Sequence, residues 1–400
     1  QAALPATGPV GMPTGSAAPA PVPVEEQTRC YRLVGPHAQF AAGGCAALSG
    51  LDLRGANLTG ANLDGIDLSE AVLDCATLDG ATLHRAVALK ASFVGASLTR
   101  VAATGALFER ADFTHASLAA AQLGGGGVVG SLTDSLFRDA SLKGATLSSI
   151  QDSSGVLFDG ADLTGASFER CVLPRLSLRA SVLANATFSH SELEGVLLSP
   201  STILAGATFA AVDFLGAQLD RIRFDHVRLE EVALIEASLV NASFRSATIS
   251  LSEFDRSLAT GADFSAARFS EVDFIRTALA GASFRGANLL NSQLSECNVE
   301  RTDFTGALNM RSVDLLHLSG TPVGLCPRGG VGMSCVVGGS LAQAPAPPAP
   351  SEPPEPKAPP APSPEPPEPR APPEPFAPSP PPPMPPPLSP PARPPIGPRT

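Results

Sequence analysis

Between residues 46 and 315 every phenylalanine falls on the same position of a five-residue frame. In the longest unbroken stretch the frame runs Leu204, Phe209, Phe214, Leu219, Phe224, Leu229 and onward to Phe304. Only Ala259 and Val299 depart from Leu, Ile or Phe along it. A helix repeats at about 3.6 residues and a strand at about 2, so this period demands a repeat architecture. Two positions before each centre stand small or β-branched residues, such as Thr202, Ala207, Val212, Ala217 and Ile222. Neither position is charged between 202 and 304, while Asp213, Asp220, Arg221, Arg223, Arg245, Glu253 and Arg276 occupy the other three. Burying an unpaired charge is costly, so the two uncharged positions face inward.

One large and one small inward residue in every five suit a narrow coil with a corner in each repeat, the small one making room for the large at close-packed density. Gly55, Gly60, Gly65, Gly80, Gly216, Gly281 and Gly286 lie two positions after a centre, where a tight corner favours glycine. A second period lies on top of the first. Phe224, Phe244, Phe264, Phe284 and Phe304 are four pentapeptides apart, whereas the column Leu219, Leu239, Ala259, Leu279, Val299 never takes Phe. Four pentapeptides per coil make a four-walled tube in which Phe stacks on Phe at a strand spacing of ~4.8 Å.

Runs such as Leu53-Arg54-Gly55-Ala56-Asn57-Leu58-Thr59-Gly60-Ala61-Asn62-Leu63, and later Gly261-Ala262-Asp263-Phe264 and Gly286-Ala287-Asn288-Leu289, resemble the A(D/N)LxG signature of pentapeptide repeat proteins. The resemblance covers residues 46–315 and implies an all-β fold, a right-handed quadrilateral β-helix. The expected organisation is an Ala/Pro-rich segment over 1–29, an N-terminal cap over 30–50, the β-helix over 51–315, a C-terminal cap over 316–340 and a Pro-rich tail over 341–400.

Three phase slips interrupt the frame. They separate Val128 from Leu132 after Gly124–Gly127, Leu147 from Phe158, and Leu198 from Leu204 at Pro200. Each reads either as a corner absorbing extra residues or as a protruding contact loop; Gln151, Asp152, Ser153 and Ser154 are the candidate loop, since loops carry function disproportionately. About fifty pentapeptides at four per coil give about twelve coils and a rod of roughly 60 Å.

That length decides how the 7 cysteines group. Bridged cysteines need Cα atoms within about 7 Å, so Cys30 and Cys45 cannot reach Cys326 and Cys335, and two local pairs follow. Cys171 and Cys297 hold small inward positions, and Cys75, at a corner, is left without a partner. The terminal pairs read as disulfide-stapled caps in an oxidising compartment or as free thiols in a cytosolic protein. Their spacings match no zinc pattern and the 6 histidines are dispersed, so no metal or cofactor is expected.

Of the 41 prolines, only Pro174 and Pro200 lie between 46 and 315. The tail, with Pro353-Pro354-Glu355-Pro356-Lys357 and Pro380–Pro383, fits an extended polyproline II spacer or a ligand for proline-recognising modules. The net charge of −11 resides in the repeats, and with no Lys/Arg cluster direct nucleic-acid binding is not expected. No apolar run is long enough to span a bilayer. The start at Gln1 fits a trimmed chain or removal of a signal after a small-residue site. Lone surface histidines and a Gly run without a following Lys-Ser/Thr support no catalytic site.

The expected function is therefore non-enzymatic: a structural or protein-interaction scaffold, secreted, periplasmic or on the cell surface, presenting a rigid rod on a Pro-rich arm to an unknown protein partner. The oligomeric state stays open. The family resemblance implies an alternative, since some pentapeptide repeat proteins look like duplex DNA and bind type II topoisomerases (gyrase). That would place the chain in the cytoplasm.

Overall fold

The computed structural model describes residues 32, 34–40, 45, 47–125, 130–151 and 153–324, together with the backbone of Val336–Val337 and Ser340–Leu341, which pair antiparallel. Cys30, Asp152, Cys326, Cys335, the 1–29 segment and the Pro-rich tail lie outside the described residues. Division by contacts separates residues 1–343 from 344–400.

Each pentapeptide is an extended edge followed by a turn. Around Leu73, the Leu73 amide donates to Ser92 O (2.7 Å), Cys75 to Val94 O (2.9 Å) and Thr77 to Ala56 O (2.9 Å), tying each coil to its neighbours on both sides. Ala76 donates to Leu73 O at 3.0 Å, closing a β-turn whose third residue, Cys75, sits at φ 56°. A positive φ at that position is the type II pattern. The same turn recurs at nearly every fifth residue. The non-glycine corners include Arg85, Lys90, Glu236 and Leu251 but no Val, Ile or Thr, whose branched Cβ fits the left-handed region worst.

Four turns bring the chain back over itself, one coil lower. Strands β1 (Ala102–Ala103), β2 (Gln122–Gly124), β3 (Thr146–Ser148), β4 (Ser167–Glu169), β5 (Thr187–Glu192), β6 (Thr208–Asp213), β7 (Arg228–Glu230), β8 (Thr248–Ser250) and β9 (Arg268–Ser270) join β11 (Asn288–Leu290) in one 10-stranded parallel sheet. A second parallel sheet on the next wall comprises β10 (Asp273–Ile275), β12 (Gln293–Ser295) and β13 (Asp314–Leu316). Single bridges continue the stacking on all four walls, from Ala47 against Asp67 to Asp303 against Val323, so coil pairing runs on past residue 315. The result is an all-β parallel solenoid with four walls.

The core is the inward pair of every repeat. Ala207, Phe209, Val212, Phe214, Ala217 and Leu219 are each at most 2% exposed. Phe224, Phe244, Phe264, Phe284 and Phe304 form one column on what we call the second wall, stacked with centroids 4.9, 5.0, 4.8 and 5.1 Å apart. The first wall carries a second stack, Phe93, Phe113, Phe137 and Phe158, and continues as Leu178, Leu198, Leu219, Leu239 and Ala259. The third wall, built of the 10-stranded sheet, stacks Phe168, Phe188 and Phe209. On the fourth wall Phe254 stacks on Phe274 at 4.7 Å. Where Ser or Thr takes an inward position its hydroxyl donates to a backbone carbonyl, as Ser181 does to Leu178 O (2.7 Å) and Thr302 to Leu279 O (2.7 Å), so burial leaves it satisfied.

The slips are absorbed without disturbing the coils that follow. Ala102 pairs with Gln122, but Gln122 pairs with Thr146, a coil four residues longer that contains the Gly124 segment. One extra residue enters between Ile150 and Ser153, since Gly130 pairs with Ile150 but Leu136 with Leu157. Another enters at Pro200, between the Ser177–Leu197 and Val182–Ile203 bridges. A fourth insertion, which the frame of apolar centres did not disclose, lies at a 3-10 turn over Met310–Ser312: Asn288 pairs with Leu308, but Gln293 with Asp314.

Because Phe264 contacts Phe244, Phe284 and three edge-on rings, Phe264→Ala is expected to cost roughly 3–5 kcal/mol. Denaturant unfolding checks this, and an unchanged midpoint would contradict it.

Candidate interaction surface

The backbone engages four amides of each pentapeptide, three with neighbouring coils and one in the turn, and leaves the one directly after the centre without such a partner. Two side-chain positions supply the missing acceptor. From the residue before the centre, Asn57 Oδ1 accepts from Thr59 N (3.1 Å), Asp112 from Thr114 N (2.9 Å) and Asp263 from Ser265 N (2.9 Å). From one coil above, Asp79 accepts from Thr99 N (2.9 Å) and Ser97 Oγ (2.6 Å), and Asp220 from Val240 N (2.9 Å) and Ser238 Oγ (2.5 Å). The Asp/Asn of the repeat signature is thus a backbone cap.

These caps tune acidity. Burial pushes the Asp263 carboxyl up, but hydrogen bonds from Ser265 and the Arg245 guanidinium outweigh it and hold its pKa below the usual carboxylate value. Asp303, with Thr305 and Arg285, and Asp162, with Thr164 and Lys143, are lowered in the same way.

Charge is unevenly shared among the walls. The second wall neutralises itself: Arg223 pairs with Asp225 (3.2 Å), Arg245 with Asp263 and Arg285 with Asp303 (3.0 Å). The fourth wall does not. Its row before the centre reads Glu192, Asp213, Ala233, Glu253, Asp273 over five successive coils in register. Glu231 and Glu271 stand at the corner leading into it, and none of these carboxylates forms an ion pair among the described residues. Here Arg256 pairs with Glu236 and Asp255, and Arg276 with Glu296. Asp255 Oδ1 is shielded from solvent and finds no donor. Over the same five coils the row after the centre reads Glu194, Leu215, Ile235, Asp255, Ile275, with Leu215 38% exposed.

Of the segment proposed as a contact loop, Gln151, Ser153 and Ser154 are described and Asp152 is not. Ile150 is 1% exposed and Ser153 fully buried, its Oγ accepting from Leu132 N (2.8 Å) and donating to Gln151 O (3.1 Å). Ser153 is therefore a core residue and not a contact residue. Gln151 Nε2 donates to Arg170 O (3.0 Å), and Ser154 stays exposed in a turn.

Cys75, Cys171 and Cys297 are free thiols. Burial pushes Cys171 up to about 11, too high for a reactive thiolate at neutral pH, and raises Cys297 as well. Cys45 is 1% exposed in the first coil. Among the described residues no histidine side chain hydrogen-bonds a Ser, Cys or Asp, no cluster of three or more His/Cys/Asp/Glu is placed to hold a metal, and no helix is long and apolar enough to cross a membrane.

The family model described as pentapeptide repeats matches the chain in 8 copies over residues 52–87, 91–125, 154–199, 237–275 and 267–306. Among solved structures the chain is similar to HetL of the cyanobacterium Nostoc sp. strain PCC 7120, a pentapeptide repeat protein involved in heterocyst differentiation regulation. They share 21% identity over 71% of this chain and 97% of that one, with a TM-score of 0.23. It is also similar to QnrB1, a plasmid-mediated fluoroquinolone resistance protein (18% identity, 57% of this chain, 88% of that one, TM-score 0.31). A pentapeptide repeat protein of the Arabidopsis thaliana thylakoid lumen shares 28% identity over 30% of this chain and 66% of its own, with a TM-score of 0.21. Comparison with curated proteins finds no match.

For Asp263 the folded pKa lies below the unfolded one, so its stabilisation is present above the ordinary Asp pKa and is lost as pH falls through the depressed value. Asp263→Asn is accordingly expected to flatten the acid limb of a stability-versus-pH curve; an acid limb identical to wild type would contradict the assignment.

Proposed function

The chain is a member of the pentapeptide repeat family, and on that premise we propose that it is an exported, non-enzymatic protein-interaction scaffold: a rigid solenoid that presents its outer walls to a protein partner and carries a Pro-rich arm. The observation behind this is the division of labour in each repeat. The inward pair and the backbone ladder account for the fold, while the residues around them are free to vary along walls of fixed spacing. Repeat proteins use such extended surfaces for binding.

Export is supported by the cysteines. The three thiols within the array are free, and Cys45 lies buried at its start. We place disulfides between Cys30 and Cys45 and between Cys326 and Cys335, stapling the ends of a chain secreted or held at the cell surface. Thiol labelling of the unfolded, unreduced protein should then count three reactive cysteines out of 7. A count of seven removes the disulfides and with them the support for export.

The fourth wall favours a second reading, in which its unneutralised carboxylates mimic duplex DNA and engage gyrase in the cytoplasm. On that reading the purified protein inhibits gyrase supercoiling, and Glu192→Lys with Glu253→Lys relieves the inhibition. Full supercoiling activity at excess protein excludes it.

A further inference from the structure

The fourth wall displays two parallel outward rows whose members, apart from Asp213, which accepts from Leu215 N (2.8 Å), carry little of the fold's own hydrogen bonding. In one stand Glu192, Asp213, Ala233, Glu253 and Asp273; in the other, two residues along each edge, stand Glu194, Leu215, Ile235, Asp255 and Ile275. Residues two apart on an extended edge point to the same side, so an acidic row, interrupted at Ala233, runs alongside an aliphatic one, interrupted at Asp255, down the rod. At the corner beside them Leu251 is 48% exposed between Glu231 and Glu271. The opposite, second wall shows neither feature, since its charges are spent on one another and the row after its centres reads Asp225, Arg245, Ser265, Arg285.

We propose that the fourth wall between Glu192 and Ile275 docks an amphipathic, cationic α-helix of a partner protein, laid along the rod. Charge complementarity selects a basic partner: among the described residues the carboxylates of the acidic row have no cation of their own, so pairing them displaces only water and counterions. The aliphatic row requires that partner to carry an apolar stripe beside its basic one, which separates it from a polycation or a nucleic acid. The spacing selects a helix. Successive rungs lie ~4.8 Å apart, and a helix advances ~5.4 Å per turn, so Lys or Arg at i, i+4 and i+7 keeps near register with the carboxylate row over three to four turns. Leu at the adjoining positions meets Leu215, Ile235 and Ile275. This inference rests on the scaffold reading and names the chemistry of its partner.

The test uses the full chain and a synthetic helical peptide of roughly 16 residues, about four turns, with one Lys stripe and one Leu stripe, followed by fluorescence anisotropy. Saturable binding that weakens with salt is expected. It should fall at least tenfold in Glu192→Lys/Glu253→Lys, neither of whose side chains is hydrogen-bonded, and in Leu215→Ser. Ala205→Lys on the second wall should leave it unchanged. Circular dichroism and the melting transition confirm that the variants fold. No binding to wild type, equal binding by the double variant, or equal affinity for a peptide with Leu replaced by Ser overturns the proposal. Such a result leaves the thiol count untouched, so failure of the docking site is distinguishable from failure of the exported-scaffold reading.

Discussion

Everything in this molecule follows from the hydrogen-bonded ladder between successive coils. It runs parallel to the rod and draws on both neighbours, so no coil has a stable backbone without the one above and below it. Closing the ladder four times per circuit forces a left-handed residue at nearly every fifth position, a conformation that costs an L-residue roughly 1–2 kcal/mol. Burial of the inward pair must offset that cost at each corner. The full packing of Leu and Phe against small partners is the condition under which Arg85, Lys90 or Glu236 tolerate a conformation usually left to glycine.

The ladder also explains why the outer residues are less free than they look. One amide per repeat lacks a backbone partner, and in many repeats Asp or Asn is placed to accept from it. Acidic residues are therefore partly architectural, and a raw count of charge overstates what is available for binding. Asp263 and Asp303 are engaged by a cap and an arginine at once. Glu192, Glu253 and Asp273 serve neither purpose, which sets the fourth wall apart.

Much of this architecture was legible in the residues. Period five, the inward pair and the twenty-residue phenylalanine column follow from where charge is absent, and the structure stacks Phe224 to Phe304 on one wall. The inserted residues were harder. A break in the apolar frame at Leu147 says that chain has been added but not where it goes, and Ser153 turned inward because a buried hydroxyl with two hydrogen bonds is as good a core residue as alanine. The insertion at Met310–Ser312 escaped notice because Asn309 breaks the frame at its centre. The asymmetry between walls was invisible to a linear count of arginines: which Arg meets which Asp depends on neighbours 18 residues apart, as for Arg245 and Asp263.

The lengthened coil after Gln122 has a consequence beyond its own geometry. Four additional residues enter there, and by Leu136 and Ser141 the pairing has resumed as though nothing had intervened. Register in this solenoid is thus local property, renewed at each circuit and not inherited from the chain's beginning. A scaffold of this kind behaves like a ruler whose graduations are independent: a mark can be widened, or a whole unit spliced in, while every later mark keeps its bearing.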